Sequence, residues 1–263
     1  MSLTMGTGPF GPKRSGEFNF DTSILKPHTL YFEDCPKRVR TFFGGETVAD
    51  SRRVKVLHET GLLPVYYFPE EDVRTDLLEK TDHRTRCPFK GEAVYFSVRA
   101  GGRLAENAVW SYPEPLEDAP PLSGYLAFYH DRMDRWMEEE EETIGHPHDP
   151  YHRVDVLQSS LHVRVSVGGE VVAETRRPLV LFETSLPPRY YIPPEDVRED
   201  LLVPSDTHTV CPYKGVASYR SLKVGDTLIE DAAWLYPDPL PEAQKARGYL
   251  CFYEEKVEQE VEG

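Results

Sequence analysis

Cys87-Pro88-Phe89-Lys90-Gly91 is followed, 124 positions later, by Cys211-Pro212-Tyr213-Lys214-Gly215. The same spacing holds outward from this pair. Gly44-Gly45-Glu46 matches Gly168-Gly169-Glu170, Arg52-Arg53 matches Arg176-Arg177, and Tyr66-Tyr67 matches Tyr190-Tyr191. Ala108-Val109-Trp110-Ser111-Tyr112-Pro113 matches Ala232-Ala233-Trp234-Leu235-Tyr236-Pro237. The match runs without a gap to Phe128-Tyr129 and Phe252-Tyr253, with more than half the positions identical, and reaches back to His28 and His152. Solenoid units are roughly 20–50 residues long, so this period is a duplicated globular domain, each copy large enough for its own core. The expected organisation is an N-terminal arm (1–26), a first repeat (27–133), an acidic helix and linker (134–150) and a second repeat (151–263). Met133, Trp136 and Met137 stand at i, i+3 and i+4, which predicts a short amphipathic helix with Glu138 to Glu142 as its solvated end. Val257 and Val261 fall at matching positions and predict a C-terminal helix in the second copy. The two repeats are expected to pack on each other, in a monomer or a dimer.

The chain has 263 residues, 30 Lys and Arg, and 45 Asp and Glu, for a net charge of −15. Affinity for phosphate backbones and anionic lipid rests on clustered Lys and Arg, so neither a nucleic acid nor a membrane surface is an expected partner. Hydrophobic residues make up 39% of the chain, enough to build cores, which argues against disorder. The first residues carry no apolar stretch with a small-residue cleavage site, so no signal peptide is expected. No run of about 18 apolar residues is present to cross a membrane. Cys35, Cys87, Cys211 and Cys251 form no CxxC pair, so neither a disulfide framework nor a zinc site is expected, and a reduced cytoplasmic compartment fits.

Each copy reads as strand-rich. Val163 to Val167 alternates, Gly168-Gly169 turns, and Val171-Val172-Ala173 returns. Tyr66-Tyr67-Phe68, Ala93 to Val98, Glu106 to Tyr112 and Tyr125 to Tyr129 read as further strands. Pro69 to Leu78 opens with a proline and three acids, as a helix first turn prefers, and predicts one short helix. The expected class is mainly β, two tandem antiparallel domains each with a short helix.

Four groups of residues could carry chemistry. Cys87 and Cys211 could be nucleophiles if Lys90 and Lys214 depressed their pKa; otherwise they are small buried thiols. His83 lies four residues before Cys87 and His208 only three before Cys211, so a shared Cys–His dyad fails on strand parity. Alternation would put Glu106, Ala108, Trp110 and Tyr112 on one strand face, and Glu230, Ala232, Trp234 and Tyr236 on its equivalent. An acid on an aromatic face is either a ligand-pocket wall or the rim of a core. Arg52 and Arg176 could grip an anion, or pair structurally with Asp50, Glu71 or Asp72. Of Tyr66 and Tyr67, and of Tyr190 and Tyr191, one ring faces a core and the other a cleft. No GxGxxG, P-loop, GxSxG or HExxH is present. His146 and His148 have metal-like spacing without further ligands, so no metal is expected.

Taken together, Val48-Ala49-Asp50-Ser51-Arg52, Tyr66-Tyr67-x-Pro69, Cys211-Pro212-Tyr213-Lys214-Gly215-x-Ala217-x-Tyr219, Glu106-Asn107-Ala108-x-Trp110-x-Tyr112-Pro113-x-Pro115 and Tyr125-x-x-Phe128-Tyr129 resemble the domain of unknown function 427 family, in a tandem form. The resemblance implies a β-tent fold, similar to the methionine sulfoxide reductase B domain, with a pocket between two antiparallel sheets. The family is sometimes labelled nucleotidyltransferase-like, but the sequence shows no phosphate loop or paired metal-binding carboxylates. It also lacks the zinc cysteine pairs of many β-tent relatives.

Three functions follow as expectations. The first is small-molecule binding in two similar inter-sheet pockets. Trp110, Tyr112, Tyr66 and Tyr67, with Trp234, Tyr236, Tyr190 and Tyr191, would be the walls. Arg52, Lys90, Arg176 and Lys214 would hold an anionic group on the ligand. The second is an enzyme with Cys87 and Cys211 as nucleophiles and Glu106 and Glu230 as proton carriers. The third is an interaction module mimicking a homodimer. No cofactor is indicated.

Overall fold

The structure, a computed structural model, describes residues 4–8, 10–14, 17–21 and 24–263. The chain divides into two compact units, Met1–Tyr151 and His152–Gly263. Both are mainly β and antiparallel, as the sequence predicts.

The first unit contains β1 (Leu30–Asp34), β2 (Val39–Phe43), β3 (Glu46–Ser51), β4 (Lys55–Glu59), β5 (Val65–Pro69), β6 (Leu78–Cys87), β7 (Gly91–Ala100), β8 (Arg103–Ser111), β9 (Tyr125–Phe128), β10 (Arg135–Glu138) and β11 (Glu141–Thr143). A large sheet runs β1-β4-β5-β9-β8-β7-β6, and a small one runs β11-β10-β2-β3. The second unit contains β12 (Val154–Gln158), β13 (His162–Val167), β14 (Glu170–Thr175), β15 (Leu179–Glu183), β16 (Arg189–Ile192), β17 (Leu202–Cys211), β18 (Gly215–Val224), β19 (Thr227–Leu235), β20 (Leu250–Phe252) and β21 (Glu258–Glu262). Its large sheet, β12-β15-β16-β20-β19-β18-β17, repeats the first unit's order, and its small sheet, β14-β13-β21, repeats β3-β2-β10 without a counterpart of β11 among the described residues.

Alternation along the central strands sorts side chains into two layers. In the first unit Val39, Phe43, Val48, Phe68, Val98, Phe128 and Trp136 form one core, built from the small sheet and one face of the large sheet. Leu57, Tyr67, Ala93, Tyr95, Tyr112 and Leu122 form a second cluster on the large sheet's other face. The second unit divides the same way. The predicted Pro69 helix is two 3-10 turns, Glu70–Asp72 and Thr75–Leu77, and its counterpart is also two turns. Val73 between the first two turns bridges Ala49, so the chain returns to the sheet before a full α-helix can form.

Both helices predicted from Met133 and Val257 are strands instead. Arg135–Glu138 pairs with β2, and Glu258–Glu262 pairs with β13. Tertiary pairing with an open strand edge outweighs a two-turn helical pattern, which is a weak signal at this length. The glutamates following Trp136 are therefore not a solvated helix end. Glu138 is buried, accepts a hydrogen bond from Tyr66 Oη at 2.7 Å and pairs with Lys37. Trp136, 3% exposed, seals the first unit's inter-sheet core. Trp136→Ala is expected to cost about 3–5 kcal/mol of the first unit's stability, measured by urea denaturation. A loss under about 1 kcal/mol would place Trp136 outside that core.

Of the predicted arm, residues 1–3, 9, 15–16 and 22–23 lie outside the described residues. Its described part is tied to the β4–β5 connection. Gly61 N–H donates to the Thr4 carbonyl at 2.6 Å, and Thr60 Oγ1 donates to the Phe10 carbonyl at 3.1 Å. Among the described residues no helix is long and apolar enough to cross a membrane.

Candidate functional site

The Cys-Pro-aromatic-Lys-Gly stretch is a hairpin loop in each unit. Cys87 ends β6 and pairs across to Gly91, which starts β7; Cys211 and Gly215 do the same in the second unit. Gly91 and Gly215 have φ of +106° and +101°, which side chains rarely adopt, and a Cβ there would press on the carbonyl of Glu114 or Asp238, in the segments after β8 and β19. The loop carbonyl of each lysine is pinned from outside, Leu116 N–H to Lys90 at 3.1 Å and Leu240 N–H to Lys214 at 3.1 Å. So fixed, the loop turns its lysine inward onto a buried carboxylate.

That carboxylate is Glu59 in the first unit and Glu183 in the second. Lys90 bonds Glu59, and Lys214 bonds Glu183. A histidine meets the other oxygen: His28 Nε2 lies 3.0 Å from Glu59 Oε1, and His152 Nε2 lies 3.1 Å from Glu183 Oε1. The loop aromatic stacks on that histidine, Phe89 on His28 at 3.7 Å between centroids and Tyr213 on His152 at 3.8 Å. Burial alone would raise the Glu183 carboxyl pKa. The hydrogen bond from His152 and the charge and hydrogen bond of Lys214 outweigh it and bring it down to about 2. The carboxylate is therefore a fixed negative charge at neutral pH.

Beside this cluster stand the aromatic rings. Trp110 Nε1 donates to Tyr67 Oη at 3.3 Å, and Trp234 Nε1 donates to Tyr191 Oη at 3.1 Å. Trp110 lies 4.7 Å from Tyr129, and Trp234 lies 4.5 Å from Tyr253. Lys90 Nζ sits 5.7 Å from the centre of the Tyr112 ring. Burial pushes the phenols of Tyr67, Tyr112, Tyr191 and Tyr236 up, so all four stay neutral hydrogen-bond donors. In the second unit these groups line a half-open cavity of about 260 Å³, bordered among others by Glu183, Lys214, Tyr191, Trp234, Tyr236 and Arg189.

The structure redistributes the sequence-predicted site residues. Trp110, Tyr112, Tyr67 and Lys90, and Trp234, Tyr236, Tyr191 and Lys214, come together. Tyr66 and Tyr190 take the opposite face: Tyr66 lies in the inter-sheet core and Tyr190 packs against its counterpart. The predicted inter-sheet placement is corrected. Every residue lining the second unit's cavity comes from the large sheet or its connections, on the side away from the small sheet.

Glu106 and Glu230 are exposed and do not join the site. A bulge interrupts β8 between Ala105 and Val109, with Asn107 at φ 49°; Asp231 does the same in β19. The bulge sends Ala108 to the inter-sheet core with Val109 and breaks the predicted four-residue face. Arg132 then caps the carbonyls of Glu106 and Asn107 from outside.

Arg52 is 65% exposed and pairs with Glu139, and Arg176 is exposed, so neither reaches the cavity. Their neighbours make the structural pairs, Arg53 with Glu71 and Asp72, and Arg177 with Asp196. Cys87 and Cys211 are half-buried, and Cys211 is not among the residues lining the cavity. The His28–Glu59 and His152–Glu183 pairs were not singled out from sequence as site residues. Their signal was present: all four obey the 124-residue spacing with identity, as do Thr85 with Thr209, Tyr95 with Tyr219, and Tyr129 with Tyr253.

Fold and site together define a tandem all-β protein with an aromatic-walled cluster repeated in each half. The chain belongs to the family described as domain of unknown function (DUF427), whose model matches residues 31–139 and again 155–263. No curated protein matches the chain.

Proposed function

We propose that each DUF427 domain of this chain is a small-molecule-binding module, with the ligand seated among the Trp and Tyr rings and oriented by the lysine–glutamate pair and the neutral phenols. The observation that carries this reading is the cavity of the second domain, apolar rings with a few convergent polar groups, the usual make-up of a ligand site. Its volume of about 260 Å³ falls just below the roughly 300 Å³ at which drug-sized pockets begin, which fits a compact, flat ligand. The same ring and ion-pair set recurs in the first domain.

An acid–base role for Glu183 has less support. A carboxyl held at about 2 does not exchange protons near neutral pH, where a general base works best close to its own pKa. Thiol chemistry at Cys211 would have to act from outside the cavity lining. The four cysteines are free, which fits a protein working in a reducing compartment, and we place this function in the cytoplasm.

Native mass spectrometry of the full chain, incubated with the small-molecule fraction of a cell extract, tests the reading. The expected result is a non-covalent adduct of one or two ligands on the wild-type protein, lost when Trp110→Ala and Trp234→Ala are combined. An adduct that survives both substitutions, or no adduct at all, would overturn it.

A further inference from the structure

Among the side chains that line the second domain's cavity, two differ from their counterparts in the first: Pro187 replaces Leu63, and Arg189 adds a cation. Arg189 lines the cavity of the second domain, and Val65 stands at the same place in the first. The equivalence is structural as well as numerical: Arg189 pairs across the sheet with Leu181, and Val65 pairs with Leu57. Arg189 shares a strand face with Tyr191, two residues on, and its guanidinium lies 5.8 Å from the centre of the Trp234 ring. Its ion-pair partner, Glu254, is 3.6 Å away, longer than a hydrogen bond, and is itself half exposed. Val65 instead packs against the first domain's aromatic cluster.

The lysine–glutamate pair itself is common to both sites. Each has one lysine paired with one buried glutamate, so among the lining side chains Arg189 is the added cation of the second cavity. A planar guanidinium beside an indole, with its hydrogen-bonding edge not committed to Glu254, is suited to a carboxylate carried by an aromatic ring. We infer that the duplicated domains have diverged in specificity. The second takes a planar aromatic ligand bearing a carboxylate, gripped by Arg189, and the first takes an uncharged ring compound. This rests on the binding function proposed above.

The chain's three tryptophans give a readout for each domain. Trp110 reports the first domain's ring cluster, Trp234 the second domain's cavity, and Trp136, in the inter-sheet core, is the control. Fluorine NMR of the full chain labelled with 5-fluorotryptophan, its resonances assigned by single Trp→Phe variants, would be titrated with indole-3-carboxylate and with indole-3-carboxamide. The carboxylate is expected to shift Trp234 at a concentration roughly tenfold below that needed for Trp110, the scale of one charge-assisted contact. Arg189→Val, which installs the residue the first domain already tolerates, is expected to abolish that preference while the carboxamide still shifts both rings. Equal response of Trp110 and Trp234 to the carboxylate, or an unchanged preference in Arg189→Val, would overturn the divergence and leave the binding reading intact. No response of either ring to either probe, or response only at Trp136, would count against both.

Discussion

Lys214→Met is expected to destabilise the second domain by about 3–5 kcal/mol, the usual cost of stranding one member of a buried ion pair. The side chains of Lys214 and Glu183 are only 11% and 9% exposed. Removing the ammonium leaves the carboxylate among rings with only His152 to meet it. The pH dependence gives the mechanism its signature. In the wild type the Glu183 carboxyl lies at about 2 when folded against an ordinary value of 4.5. Its contribution is therefore complete above pH 4.5 and is lost only as pH falls through 2. In Lys214→Met the folded carboxyl rises above its unfolded value, so acid relieves the damage. The deficit, read as the shift in urea midpoint, should shrink between pH 7 and pH 4. Glu183→Leu combined with Lys214→Met should recover most of it, because no charge is then left buried. A deficit below about 1 kcal/mol at pH 7, or one that grows in acid, would mean the pair is solvated and not a buried element of the site.

The first domain should be the more acid-sensitive of the two, and His130 is the reason. Its ring stacks on Trp136 at 4.7 Å with an interplanar angle of 8°, and its carbonyl accepts the Trp136 indole N–H at 3.1 Å. Burial, reinforced by the charge of His146, brings the His130 imidazolium pKa down to about 4 from an ordinary 6.5. The folded state therefore holds the ring neutral, while the unfolded chain takes up a proton below pH 6.5. The unfolded state binds more protons between these values, so stability is full above pH 6.5 and falls as pH drops towards 4. The loss attributable to this group is about 3 kcal/mol. Glu254 occupies the matching position of the second domain. Urea denaturation of the wild type and of His130→Gln at pH 7 and pH 4.5 isolates the effect. The variant's first domain should lose markedly less stability on acidification than the wild type's. Identical pH slopes in the two proteins would show that His130 is solvated.

Much of this architecture was legible in one dimension because duplication supplies its own comparison. Agreement at a spacing of 124 residues marked the Cys-Pro-aromatic-Lys-Gly hairpin and the Trp-x-Tyr strand in the sequence itself. Strand alternation placed the two rings of each Tyr-Tyr pair on opposite faces. Two kinds of error arose where a local pattern met a non-local constraint. The Met133–Met137 pattern had helical spacing, but the edge of β2 offered backbone partners to an extended chain. The Glu106–Tyr112 face assumed unbroken alternation, but the bulge at Asn107 is stabilised from neighbouring strands: Thr81 Oγ1 donates to Asn107 Oδ1 at 2.6 Å, and Asn107 N–H donates to Ser97 Oγ at 3.0 Å.

Sequence alone was enough to establish that the chain is one β domain written twice, and that each copy carries a lysine, a tryptophan and paired tyrosines at matching places. Only the tertiary structure decided which acid meets the lysine, and on which side of the large sheet. Glu59 and Lys90 lie on strands and loops far apart in the chain, and nothing in local periodicity brings them together. The sheet order does so, by placing β4 and the β6–β7 hairpin around one face, where a buried ammonium needs a carboxylate to offset its lost hydration.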